Sequence, residues 1–157
     1  MAAVLMTGAT GKQGGSIVNA LLKANSELQI LALTRNAQSA SAQRLAQKSP
    51  KIKRITGNLD TIEDVFNSAR HATKLPIWGV FSVQILMGGG KNASSEERSG
   101  KALVDASLKH GLKRFVYSSV GRSGSRSDRY PTNIPHFTSK HNIEQHLFSK
   151  VESSSMN

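Results

Sequence analysis

Apolar residues in this chain fall into short continuous runs, separated by stretches in which every third or fourth position is apolar. The runs AAVLM (2–6), LQILALT (28–34), IKRIT (52–56), IWGVFSV (77–83) and RFVYSSV (114–120) predict five buried strands. A helix from about Gln13 to Asn25 would bury Ile17, Val18, Leu21 and Leu22, and the polar, Ala/Gln-rich segment 39–48 predicts a weaker second helix. Thr61 stands where an N-cap would, with Glu63 and Asp64 in the first turn of a third helix whose buried face is Ile62, Val65, Phe66 and Ala69. A fourth helix is expected from about Ser95 to Gly111, a glycine suited to a left-handed C-terminal cap, and a fifth from about His136 to Lys150. GGGKNASS (88–95) and GRSGSRSDRYPTNIP (121–135) read as connections, and SSSMN as a frayed end.

Strands alternating with helices, and strands apolar on both faces, argue for an α/β fold: a parallel sheet covered by helices on both sides. No internal repeat or linker divides the chain, so one domain is expected over 1–150, followed by a tail over 151–157. No stretch approaches the length of a membrane span. The absence of cysteine fits a reducing compartment, and a soluble cytoplasmic or nuclear protein is the default expectation.

The first strand runs directly into TGATGKQGG, in which Gly8, Gly11 and Gly14 have the spacing GxxGxxG. A dinucleotide pyrophosphate needs backbone N–H groups at a helix N-terminus, with no Cβ in the way; a strand, a glycine turn and a helix supply both. At the end of the second strand an acid would hold a ribose 2′-hydroxyl and repel a 2′-phosphate. The chain instead reads Thr34-Arg35-Asn36, and a guanidinium can pair with a phosphate through two N–H bonds. NADP(H) is therefore favoured over NAD(H), the plainer alternative being that Arg35 is an ordinary solvated charge. After the third strand, Asn58-Leu59-Asp60 could border the adenine, cap the next helix, or do both.

The formal net charge is +11, concentrated in the first and last thirds of the chain. Polyanions are natural partners for such a balance, but the basic residues are scattered and not interleaved with aromatics, which argues against a nucleic-acid platform.

TGATGKQGG, TRN, GNLD and FVYSSV, followed by NIPHFTSKHNIEQHL, together resemble the NmrA-like proteins, an atypical branch of the short-chain dehydrogenase/reductase superfamily. The resemblance runs from Met1 to about Phe148. It implies a Rossmann-type doubly wound parallel sheet of about five strands and NAD(P) binding, often with regulatory or redox-sensing duties instead of turnover. A protein partner such as a transcription factor is implied as well. Carried onto this chain, Gly8, Thr10, Gly11, Gln13 and Gly14 would hold the pyrophosphate and Arg35 the 2′-phosphate. Asn58, Leu59 and Asp60 would border the adenine, and Ser82, Val83 and Gln84 the ribose towards the nicotinamide. Lys140 would reach that ribose or the carboxamide. Family members continue further, with a sixth strand and a region that closes over the nicotinamide. This chain would lack that C-terminal region, leaving the fifth strand an open edge and self-association a consequence.

HFTSK (136–140) places Lys140 one helical turn after His136, the spacing at which enzymes of the superfamily carry a catalytic Tyr and a Lys. Ser118 and Ser119 stand where those enzymes keep a carbonyl-orienting serine, but the phenol is missing. Imidazole titrates near neutrality, so Ser119, His136 and Lys140 are weak candidates for catalysis, the favoured expectation being that His136 is a packed or cofactor-neighbouring residue. His136, His141 and His146 recur every five residues; successive members turn roughly 140° around a helix, so no shared metal site is expected. Three functions compete on this sequence: an NADP(H)-binding regulator or sensor, an NADPH-dependent reductase of the isoflavone-reductase-like type, and a basic binder of nucleic acid or acidic protein.

Overall fold

The computed structural model describes residues 1–84, 92–121 and 133–155, with side chains as far as Val151. Five strands, β1 (Ala3–Met6), β2 (Gln29–Thr34), β3 (Ile52–Thr56), β4 (Ile77–Ser82) and β5 (Arg114–Tyr117), form one parallel sheet in the order β3-β2-β1-β4-β5. They alternate with helices α1 (Lys12–Lys23), α2 (Ala40–Gln47), α3 (Ile62–Ala72), α4 (Ala93–Lys109) and α5 (Pro135–Ser155).

All four residues of β1 are buried, and its alternate side chains serve two cores. Ala3 and Leu5 join Leu31, Leu33, Val65, Phe66, Val80 and Leu103 beneath α3 and α4. Val4 and Met6 join Ile30, Ala32, Val18 and Leu45 beneath α1 and α2, with Ile17, Leu21 and Leu22 packed alongside as expected. Helix α5 lies against α4, where a Cβ on Gly100 would overlap Ile143. The doubly wound architecture is therefore as read from the pattern. Between β1 and β4 the strand order reverses, and in such sheets the crevice at that point, beyond the carboxyl ends of the strands, is where ligands bind.

Several boundaries differ from expectation. β5 stops at Tyr117, whose partner Ser82 is the last residue of β4; one further backbone bond, from the Ser118 amide to the Ser82 carbonyl at 2.9 Å, closes the ladder. α4 begins earlier, at Ala93: Asn92 accepts from the Ser95 amide while the Ser95 hydroxyl accepts from the Asn92 amide, a reciprocal cap. The end of the connection expected over 88–95 is thus helical; residues 88–91, like the Arg/Ser-rich loop 122–132, lie outside the described residues. Thr61 occupies the N-cap position of α3 but makes no side-chain cap bond, its hydroxyl turning back to the Asn58 carbonyl at 3.4 Å. Gly111 follows α4 at φ +71°, as the C-terminal glycine should. α5 runs on through Ser155, past the expected end at Lys150, since neither Gly nor Pro intervenes. β5 is an edge strand, and Val116 on it is 54% exposed.

Candidate functional site

Strand β1 is followed by Thr7, whose hydroxyl both donates to the Val83 carbonyl and accepts from the Val83 amide, each at 2.8 Å. This buried clamp fixes the mouth of the crevice between β1 and β4. Gly8 follows at φ +60°, and a Cβ there would sit 2.5 Å from the Val83 side chain. A side chain at Gly14 would strike the Gly8 carbonyl, so this glycine lets α1 pack directly on the turn. Gly11 caps α1 without any side-chain bond, and no acid lies in the first turn. The positive end of the helix dipole is left with open amides, which is what an anionic group requires.

The turn forms one wall of a cleft of about 340 Å³. Gly8 and Thr10 line it with Arg35, Asn36, Ser39 and Ser41 from the β2–α2 region, Asn58 and Leu59 after β3, and Val83 and Gln84 after β4. Ser95, Glu96 and Ser99 of α4 complete it. Arg35 is exposed and has no partner among the described residues. Ser39 caps α2 through the Ala42 amide at 3.3 Å, so that helix too begins at the cleft wall. No acidic residue follows β2 before α2.

Not every expected site residue lines this cleft. Gly11 and Gly14 shape the turn without lining the cleft. Asp60 is drawn into local structure, accepting from the Asn58 side-chain amide at 2.9 Å and from the Ser99 hydroxyl at 3.4 Å. Ser82 is fully buried and accepts from the Gln84 amide at 3.0 Å, while the Gln84 Oε1 atom is buried with no partner among the described residues. Gln13 reaches across to the residue that follows β5 and donates to the Ser118 hydroxyl at 2.6 Å. The Ser119 hydroxyl is buried and unpartnered among the described residues.

Lys140 is placed differently from expectation. Its ammonium is buried, 3.3 Å from Glu96 Oε1, donates to the Ser118 carbonyl at 3.2 Å, and stands 5.3 Å over the Tyr117 ring. A buried cation settles against the nearest carboxylate, and here Glu96 supplies one. The Glu96 side chain is 1% exposed. Its Oε2 accepts from His136 Nδ1 at 2.7 Å and from the Ser139 hydroxyl at 2.8 Å. The Lys140 contact to Oε1 lies off the hydrogen-bonding direction, so that oxygen has an ion-pair partner but no hydrogen-bond donor. Burial, reinforced by the carboxylates of Glu96 and Glu144, holds the Tyr117 phenol well above its ordinary range, and its hydroxyl is unpartnered among the described residues. The other two histidines of α5 go elsewhere, His146 to Asp105 at 2.9 Å and His141 towards Glu144 at 3.8 Å.

Glu96 is the residue that sequence reasoning missed. It sits in the first turn of α4 beside Glu97, and nothing in their spacing separates the two. Glu97 faces outward to Lys101 at 2.6 Å and Asn142 at 2.9 Å.

A glycine turn at a sheet crossover, an open helix N-terminus and an HxxxK pair beside the fifth strand form one arrangement, and the NmrA-like family model matches it over residues 2–156. The chain belongs to the NmrA-like family. Among curated relatives, this NmrA-like chain is 31% identical over 122 residues to the NmrA-like family domain-containing oxidoreductase cpsB of Aspergillus campestris, covering 74% of this chain and 33% of that protein. Among solved structures it superposes on the negative transcriptional regulator NmrA in complex with NAD, with TM-score 0.69 at 20% identity, covering 93% of this chain and 41% of the other. It also superposes on the Citrobacter triphenylmethane reductase complexed with NADP(H), with TM-score 0.66 at 20% identity, covering 94% and 46% respectively. The chain thus spans less than half the length of these proteins, and the structural likeness establishes the Rossmann fold. No helix among the described residues is long and apolar enough to cross a membrane.

Proposed function

We propose that the cleft binds a nicotinamide dinucleotide, NADP(H) in preference to NAD(H). The observation that carries this reading is the exposed Arg35 guanidinium, without a partner among the described residues, in a cleft whose β2 end holds no acid. The glycine turn and the start of α1 would take the pyrophosphate. Arg35, with the Ser39 and Ser41 hydroxyls at the start of α2, would take the 2′-phosphate; Asn58 and Leu59 would border the adenine. Gln84, whose side-chain carbonyl oxygen has no partner among the described residues, would face the ribose on the nicotinamide side. The residues present fit the group: Gly8 lines the cleft without a Cβ, and no acid lies in the first turn of α1.

The test is calorimetric titration with NADPH and NADH. Losing charged hydrogen bonds worth about 1.5–3 kcal/mol, Arg35→Ala should weaken NADPH binding roughly 10- to 100-fold and leave NADH nearly unchanged. Equal loss for both nucleotides would remove the preference, and no binding of either by the wild-type chain would remove the reading.

Two uses of the bound nucleotide follow. The missing phenol supports a regulator or redox sensor with little turnover, a role in keeping with the NmrA neighbour and one that would engage a protein partner. A reductase is supported by the oxidoreductase names of the fungal relatives and by one feature of this chain: the imidazole at position 136 is pinned by a buried carboxylate. Bound NADPH would supply a hydride. The chain's own residues would have to orient the acceptor and provide its proton.

A further inference from the structure

We infer that Glu96 and His136 form a proton-transfer pair, with His136 as the acid that protonates a carbonyl substrate and Glu96 as the positioning residue that selects its tautomer. The inference rests on the reductase reading above and gives its missing phenol a substitute.

The geometry is specific. An ionised carboxylate only accepts, so the 2.7 Å contact between His136 Nδ1 and Glu96 Oε2 requires the proton to be on Nδ1. Nε2 is then left as the reactive nitrogen, with no partner among the described residues. Three groups of α5 converge on this one carboxylate, His136 and Ser139 at Oε2 and Lys140 at Oε1, and they hold it in place. Glu96 is among the residues that line the cleft, and His136 is bonded to it from α5. His136 keeps 29% of its side chain exposed, whereas Glu96 keeps 1%: the ring can exchange protons with solvent and its anchor cannot. A purely structural tie between α4 and α5 would be served as well by the two neighbours already present, Ser139 to Glu96 and Asn142 to Glu97.

In the proposed step the imidazolium donates from Nε2. The Nε2–H bond breaks and an O–H bond forms on the carbonyl oxygen, while the carbonyl carbon accepts the hydride of the dihydronicotinamide. The products are an alcohol, the oxidised dinucleotide and a neutral imidazole that retains its Nδ1 proton on Glu96. Solvent reprotonates Nε2. The substrate class is a small aldehyde or ketone.

The test joins a spectroscopic readout to a kinetic one. Nitrogen-15 spectra of the labelled chain, with His136 assigned by His136→Gln, should show the neutral ring carrying its proton on Nδ1. Glu96→Ala should return it to the Nε2–H form usual for a free imidazole. With NADPH and a panel of carbonyl compounds, His136→Gln should lower kcat on the order of 100-fold or more, while its NADPH affinity by calorimetry stays within about twofold. An Nε2–H ring in the wild type, or wild-type turnover in His136→Gln, overturns the proposal, as does a wild type that reduces none of the panel while binding NADPH. A wild type that fails to bind NADPH overturns the nucleotide reading and the reaction with it, and the tautomer then still decides whether Glu96 positions the ring. Should Glu96→Ala not fold, the wild-type tautomer and the His136→Gln kinetics decide on their own.

Discussion

The Glu96–Lys140 pair offers a sharp energetic test, because both charges are buried and their separation is known. The side chains are 1% and 8% exposed and the charged atoms are 3.3 Å apart. At an effective dielectric of about 20, that separation corresponds to a gross attraction of about 5 kcal/mol. Much of it offsets the desolvation of the two ions, so the pair as a whole adds far less to stability than the gross figure. Removing one partner is different, because the other charge stays buried. Lys140→Met and Glu96→Gln should each cost about 3 kcal/mol, the low end of the usual range, since the carboxylate left by the first keeps His136 and Ser139 and the ammonium left by the second keeps the Ser118 carbonyl and the Tyr117 ring. In a chain of this size that loss lowers Tm by roughly 10 °C. The double variant should cost less than the two single changes combined, with a coupling of about 2 kcal/mol. Urea denaturation of the four proteins at neutral pH measures it. Coupling below about 0.5 kcal/mol, the additive limit for independent sites, would refute the claim that these charges compensate each other.

Other expectations can be checked with the same purified chain. Gly8→Ala combines a left-handed backbone with a collision at Val83 and should cost about 3 kcal/mol as well as nucleotide binding, whereas Gly111→Ala, at φ +71° with open space around it, should cost only about 1 kcal/mol. Tyr117→Phe removes a buried hydroxyl without a partner among the described residues and should be neutral or stabilising by up to ~1 kcal/mol at neutral pH. Because the folded state raises the Tyr117 pKa above its unfolded value of 10.0, its contribution is intact below that pH and is lost as pH rises further. The variant should therefore show a shallower alkaline loss of stability; an unchanged alkaline limb would contradict the burial of this phenol. At Glu97 burial opposes the charge, but hydrogen bonds from Lys101 and Asn142, with the Lys101 charge, outweigh it and hold the carboxyl below the ordinary 4.5. That contribution is present above pH 4.5 and lost as pH falls below it, so Glu97→Gln should flatten the acid limb in thermal melts.

The features legible in the sequence were those fixed by short-range rules. A fully buried parallel strand must be apolar on both faces, which is why AVLM and QILALT stand out. A crowded turn must be glycine, so Gly8 and Gly14 announce themselves, and a left-handed helix end explains Gly111. Strand length is another matter, because it belongs to a pair. YSSV has the composition of a strand, yet β5 stops at Tyr117, since β4 stops at Ser82 and Val83 turns to Thr7 instead. No local rule contains that information. The start of α4 lies between these cases, because Asn92 and Ser95 have the spacing of a reciprocal cap, but Ser94 and Ser95 compete for the same role in the sequence.

The site divides along the same line. Its cleft is built from turn residues whose chemistry is their own, and Gly8, Thr10, Arg35, Asn58, Leu59, Val83 and Gln84 come together around it. Its other half depends on how α5 docks on α4. Glu96 and Glu97 point about 100° apart on the same helix, and only the packing of Gly100 against Ile143 decides which of them meets His136, Ser139 and Lys140. The docking also changes what the HxxxK spacing means. Where such a lysine has no acid beside it, its charge is available to a neighbouring phenol or to a ligand. Here Lys140 spends its charge on a buried carboxylate, and that same carboxylate dictates which nitrogen of His136 carries the proton. The motif therefore transfers the positions of two side chains without transferring their electrostatics, and the acid facing them must be known before the spacing can be read as chemistry.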